Sequence, residues 1–175
     1  MISIQPQPTS NRHLMVPLPA SLINPQKVMS QKTILVVDDS MVIRRTLSMK
    51  LKASGYKVLE AGDGATAVST IRKERPDLIL LDISFPPDVG AGGGVAWDGF
   101  LIMAWLQRLD EAKNIPVFII TGGNPEQYKS RSEAAGASAF FQKPINNEEL
   151  LAAIREKIGP STGPEQEPAQ TPTTE

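Results

Sequence analysis

From Thr33 onward, short apolar runs alternate with longer stretches in which apolar positions recur every three or four residues. Thr33-Ile34-Leu35-Val36-Val37 is β-branched and apolar on both faces, which suits a central strand of a parallel sheet. Ser40 to Ala53 reads as a helix that Ser54-Gly55 can end. Tyr56 to Ala61 reads as a second strand, and Asp63 to Arg75 as a helix with Ala65, Val68 and Ile71 on one face. Leu78-Ile79-Leu80-Leu81 is a third strand, ending at Asp82. After a long loop the pattern predicts a helix over Gly99 to Arg108 and a strand over Val117 to Ile120. It continues with a helix over Pro125 to Ala135, a strand over Ala139 to Phe141, and a last helix over Asn147 to Lys157 with Leu150, Leu151, Ile154 and Ile158 as its buried stripe. Five strands alternating with five helices imply an α/β fold, a doubly wound parallel sheet with helices on both faces.

The two ends lack any such period. Residues 1–31 are rich in Pro, Gln, Ser and Asn, and Pro6, Pro8, Pro17, Pro19 and Pro25 exclude a continuous helix. The segment is expected to be disordered. It has no basic start followed by an apolar core, so it is a poor signal peptide. Met29 stands just before the first strand and offers an alternative start, which would make residues 1–28 a product of start assignment. Residues 159–175, with prolines and Glu165, Glu167 and Glu175, are expected to form a flexible acidic tail. That tail is too short to be a DNA-binding output domain.

Composition narrows the chemistry. The 175 residues include no cysteine and one histidine, His13, in the N-terminal segment. Thiol catalysis, Cys-based zinc and a Ser-His-Asp triad in the core are thereby excluded. No apolar run approaches the ~20 residues of a membrane helix, and a cytoplasmic location is expected. Residues 1–31 carry Arg12 and Lys27 and no acid, whereas residues 159–175 carry acids and no base, so the stretch between them is balanced. A neutral domain argues against nucleic acid as the main partner, since phosphate binding rests on excess Lys and Arg.

In doubly wound sheets, sites lie beyond the carboxyl ends of the strands. Here the first strand ends in Asp38-Asp39, the third in Asp82 and the fourth in Thr121-Gly122-Gly123, while Lys143-Pro144 follows the fifth. Taken singly, each is ordinary: Asp is common in turns, and a rim lysine is usually a solvated charge. Jointly they place three carboxylates, a hydroxyl and an ammonium on one rim. Hard divalent cations such as Mg²⁺ prefer oxygen ligands. A carboxylate beside such an ion can act as nucleophile toward phosphorus, and a lysine and a metal can neutralise the transferred phosphoryl group. Gly122 beside Thr121 leaves room for a phosphate.

These residues resemble the receiver domain of bacterial two-component response regulators, the family of the chemotaxis regulator. The resemblance covers residues 32–158 and rests on Ile34-Leu35-Val36-Val37-Asp38-Asp39-Ser40, Leu78-Ile79-Leu80-Leu81-Asp82, Ile119-Ile120-Thr121-Gly122 and Phe140-Phe141-Gln142-Lys143-Pro144. It implies a flavodoxin-like fold with strand order 2-1-3-4-5. It implies that Asp82 is the phosphoacceptor, with Asp39, Asp82 and the backbone carbonyl of Ser84 as Mg²⁺ ligands and Asp38 reaching the metal mainly through water. Thr121 and Phe140 resemble the switch pair, and Lys143 the lysine that pairs with the phosphate. The bond before Pro144 is expected to be cis. The implied function is that of a single-domain response regulator, not an enzyme. It would take a phosphoryl group from a histidine kinase or histidine phosphotransfer protein and signal to a downstream protein through the surface of the fourth helix, fifth strand and last helix. On that surface Tyr128 and Phe140 are the exposed aromatic candidates, Tyr128 being equally readable as a half-buried helix residue.

Two departures stand out. Many members carry Tyr where this chain has Phe140, so a hydrogen bond from a Tyr hydroxyl is excluded. The loop from Phe85 to Trp97 is about nine residues longer than usual before Asp98-Gly99, and long loops in compact domains are either tolerated surface or functional. Two other readings are weaker. Gly62-Asp63-Gly64-Ala65-Thr66-Ala67 mimics a dinucleotide fingerprint but follows the second strand and leaves the acidic pair and Lys143 unexplained. An aspartate-nucleophile phosphatase would need a second Asp where Ser84 stands. The remaining alternative is a non-phosphorylated docking module, which would be expected to have lost one of the acids or the lysine.

Overall fold

The computed structural model describes residues 31–84, 98–110 and 112–161. The expected terminal extensions lie almost wholly outside these residues, as does the loop Phe85 to Trp97. The elements run β1 (Thr33–Val37), α1 (Met41–Ala53), β2 (Lys57–Ala61), α2 (Gly64–Glu74), β3 (Leu78–Asp82), α3 (Gly99–Arg108), β4 (Val117–Thr121), α4 (Pro125–Ala134), β5 (Ala139–Gln142) and α5 (Asn147–Ile158). All five strands are parallel, in the order β2-β1-β3-β4-β5.

Strand alternation sorts the core into two layers. Leu35, Val37, Ile79, Leu81 and Ile119 face one side and meet Ala67 and Ile71 of α2 and Ile102, Met103 and Leu106 of α3. Ile34, Val36, Leu78, Leu80, Phe118 and Ile120 face the other and meet Leu47 and Leu51 of α1 and Leu150 and Ile154 of α5. β1, β3 and β4 therefore need apolar side chains at successive positions, which is why they read as continuous apolar runs. β2 and β5, at the edges, are only partly buried.

Every helix starts on a side chain that accepts a free backbone N–H of its first turn: Ser40, Asp63, Asp98, Asn124 and Asn146. Such caps stabilise a helix by about 1 kcal/mol each. They also fix where each chain segment leaves the strand-end rim. Asp63 caps α2 through the N–H of Thr66 at 2.7 Å, so the apparent dinucleotide fingerprint is a capped helix start beside an edge strand.

Tyr56 falls just before β2 instead of within it, with its ring buried and its hydroxyl donating to the Gly159 carbonyl at 3.1 Å. The chain past α5 is held as far as Ser161. Its hydroxyl donates to the Gly55 carbonyl at 2.8 Å and accepts from the Lys32 N–H at 3.0 Å. This clasp lies at the amino end of β1, so the opposite, carboxyl rim is free to carry the site.

Candidate functional site at the carboxyl ends of the strands

Each functional side chain is delivered by the end of a different strand. Asp38 follows β1 directly, and its N–H donates to the Ala61 carbonyl at 3.2 Å. Asp82 is the last residue of β3, Thr121 the last of β4. Lys143 follows β5, and its N–H donates to the Thr121 carbonyl at 2.8 Å. Since β1, β3, β4 and β5 are neighbours in that order, the four ends converge on one point. The Lys143–Pro144 bond is cis, as expected.

The carboxylate oxygens of Asp38, Asp39 and Asp82 lie within 4.8 Å of one another. Asp38 and Asp82 are buried and Asp39 is exposed. The Lys143 ammonium donates to Oδ2 of Asp38 and Oδ2 of Asp82, at 2.6 Å each. The remaining oxygens are held by main-chain donors: the Ser40 N–H reaches Asp38 Oδ1 at 2.9 Å, and the Ser84 N–H reaches Asp82 Oδ1 at 2.7 Å.

Burial pushes the Asp38 carboxyl above the ordinary carboxylate range, further than hydrogen bonds from Lys143 and the Ser40 N–H pull it down. Burial works against the Lys143 ammonium as well. Its hydrogen bonds to the two carboxylates, with their charges, outweigh that penalty and hold its pKa above the usual lysine value. Close carboxylates repel, and a cation at 2.6 Å from two of them compensates that repulsion. The chemistry of the donor set, all hard oxygen, suits a small divalent cation.

Thr121 is fully buried, and its hydroxyl is hydrogen-bonded to that of Ser84 and accepts from the Gly123 N–H at 3.1 Å. Ser84 thus enters the site through its side chain as well as its backbone, a role the sequence reading did not give it. Gly122 does have the room expected of it: among the described residues a Cβ there would meet only Lys143 Cδ, at 4.0 Å. Close approach instead demands glycine at Gly123, where a Cβ would lie 2.3 Å from the Tyr128 ring.

Phe140 stands apart from this hydrogen-bonded group. Its ring and that of Tyr128 are half-buried, not exposed, and both pack on the core face shared with α2 and α3. Tyr128 stacks on Phe100 with centroids 6.3 Å apart, and the Arg131 guanidinium lies over Phe100 at 3.7 Å.

Arg44, on the first turn of α1, had no place in the sequence reading. Its Nη1 donates to the backbone carbonyls of Asp38, at 2.6 Å, and Asp39, at 3.0 Å. Carbonyl acceptors leave no residue-type signal in a sequence, so only the fold could show this.

Comparison with known proteins places the rim in context. Residues 34–155 match the family model described as the response regulator receiver domain. The chain is 33% identical over 130 residues to sporulation initiation phosphotransferase F of Bacillus subtilis, covering 74% of this chain and 96% of that protein. It is 34% identical over 121 residues to protein PilH of Pseudomonas aeruginosa, covering 69% and 93%. The structure of Vibrio cholerae chemotaxis protein CheY4 superposes with a TM-score of 0.64 at 29% identity, covering 73% of this chain and 99% of that one. With five parallel strands in the matching order and an acidic rim where the sequence motifs fall, the chain belongs to the response regulator receiver family of two-component signalling.

Proposed function

We propose that Asp82 accepts a phosphoryl group from a histidine kinase or histidine phosphotransfer protein, and that the phosphorylated chain signals through protein contact. One observation carries this reading: a buried carboxylate at the end of β3 shares a single ammonium with a second buried acid, and a third acid lies alongside. A buried aspartate serving structure alone would not need two more acids against it.

Asp38, Asp39, Asp82 and the backbone carbonyl of Ser84 would hold Mg²⁺, which when bound supplies positive charge to the phosphoryl oxygens. The rest belongs to the protein. The Ser84 N–H fixes Asp82 Oδ1, so the carboxylate presents in one orientation. A carboxylate oxygen of Asp82 forms the new P–O bond as the P–N bond to the donor imidazole breaks, and the imidazole leaves with a proton. The Lys143 ammonium, already on Asp82, transfers its hydrogen bond to a phosphoryl oxygen. The Thr121 hydroxyl exchanges Ser84 for another phosphoryl oxygen. Phe140 has no hydroxyl, so position and packing of its ring carry the response toward α4, β5 and α5. The chain is no enzyme in this account: it is the acceptor. No helix among the described residues is long and apolar enough to cross a membrane.

The test is intact mass after incubation with Mg²⁺ and a small phosphodonor, beside Asp82→Asn. A gain of one phosphoryl group that is lost in the variant and without metal is expected. A folded wild type that gains nothing, from the small donor or from a phosphorylated histidine phosphotransfer protein, would leave a docking module.

A further inference from the structure

We propose that Arg44 is a positioning residue for the divalent-cation site, fixing through the backbone the direction in which Asp39 presents its carboxylate. The inference rests on reading Asp38, Asp39 and Asp82 as that site. Asp38 and Asp82 are each held by a main-chain N–H and by Lys143. The Asp39 carboxylate has no hydrogen bond among the described residues and is exposed. The backbone therefore sets the direction from which it reaches the rim.

That backbone is clamped at one place. A single nitrogen of Arg44 donates to the carbonyls of both Asp38 and Asp39. The guanidinium in turn lies against Gly62, just past the end of β2. A Cβ on Gly62 would come within 3.0 Å of Nη1, 3.2 Å of Cζ and 3.3 Å of Nη2. The φ of Gly62 lies outside the left-handed region, so this slot, and not backbone freedom, is what its missing side chain provides. Arg44 also sits in the first turn of α1, where a cation is unfavourable to the helix dipole. Helix stability therefore does not account for its place.

Two roles for Arg44 predict opposite signs. A guanidinium acting only as a nearby charge repels a divalent cation, and its removal would tighten binding. A guanidinium that orients the acidic loop raises affinity, and its removal weakens binding. Loss of such an outer partner typically costs metal affinity about 10–100-fold.

The experiment is calorimetric titration of the full chain with Mg²⁺, for wild type, Arg44→Ala, Arg44→Lys, Gly62→Val and the Arg44→Ala/Gly62→Val double variant, with melting in EDTA to read the metal-free fold. Arg44→Ala is expected to weaken Mg²⁺ binding about tenfold or more, and Arg44→Lys to recover part of it. Gly62→Val is expected to weaken binding in the wild-type background and to add nothing once Arg44 is gone. Tighter or unchanged binding in Arg44→Ala overturns the inference, as does a full Gly62→Val effect in the Arg44→Ala background. Should Arg44→Ala not fold, unchanged affinity in Gly62→Val overturns it instead. A wild type that binds no Mg²⁺ overturns the cation site itself and this inference with it.

Discussion

The Lys143 ammonium holds Oδ2 of Asp82 at 2.6 Å, so the carboxylate proposed to attack phosphorus is tied to the cation proposed to receive the phosphoryl oxygen. The same ammonium holds Asp38. The side chains of both acids are almost fully buried, and that of Lys143 is 18% exposed. In the absence of metal, Lys143 is what lets the two carboxylates share the rim.

Lys143→Met should therefore destabilise the metal-free protein by about 3–5 kcal/mol, the cost of leaving buried charge without its partner. Saturating Mg²⁺ should restore much of that loss by supplying positive charge to the same acids. Urea unfolding with and without metal measures both quantities. Equal losses in the two conditions would show that Lys143 does not compensate the acids.

Gly123→Ala should destabilise by about 1–3 kcal/mol, the range for overpacking. Its Cβ would lie 2.3 Å from Cε2 and 2.8 Å from Cδ2 of Tyr128. Tyr128→Ser removes the obstacle, so the added cost of Gly123→Ala should largely vanish in that background. A double-mutant cycle by chemical denaturation reads the coupling. Additive losses would mean that the two residues do not meet in this way.

Ser48→Ala should stabilise the fold. Ser48 is 2% exposed on α1, and its hydroxyl is buried without a hydrogen-bond partner among the described residues. An unsatisfied buried polar group costs about 1–3 kcal/mol, and alanine is the better helix former. The midpoint of urea unfolding is expected to rise, and a fall would show that the hydroxyl has a use.

Alkaline pH should weaken the fold through Tyr56. Burial pushes its phenol above the ordinary tyrosine value of 10.0, with the positive charge of Arg155 partly opposing. The folded state then keeps a proton that the unfolded state gives up. Stability is fully present below the unfolded value and falls as pH rises from 10.0 through the folded one. Absorbance titration of tyrosinate should show one of the two tyrosines ionising late, and Tyr56→Phe should remove that late phase. A Tyr56→Phe variant that keeps the late phase would assign it elsewhere.

The acids, Thr121 and Lys143 could be found from the sequence because each ends or follows a short apolar run that reads as a strand, and strand ends in such a sheet share a rim. The helices were placed to within a residue or two for a similar reason: Ser40, Asp63, Asn124 and Asn146 are residue types that cap. Contacts with the main chain were not legible. Arg44 looks like any solvated helix charge until its acceptors are seen to be the carbonyls of Asp38 and Asp39. Gly62 reads in the sequence only as part of an apparent dinucleotide fingerprint, whereas its lack of a side chain makes space for that guanidinium. Tyr56 reads as the start of a strand, but it precedes β2, and its hydroxyl donates to the Gly159 carbonyl.

Asp82 and Lys143 are separated by 61 positions in the chain, and β4, with Thr121, lies between their two strands in the sheet. A ribosome finishes the acids well before it makes the ammonium that holds them. Until Lys143 is made, Asp38 and Asp82 lack the ammonium that holds them in the complete fold. On the proposed function, the ammonium that would receive a phosphoryl oxygen reaches Asp82 only once β5 has docked beside β4.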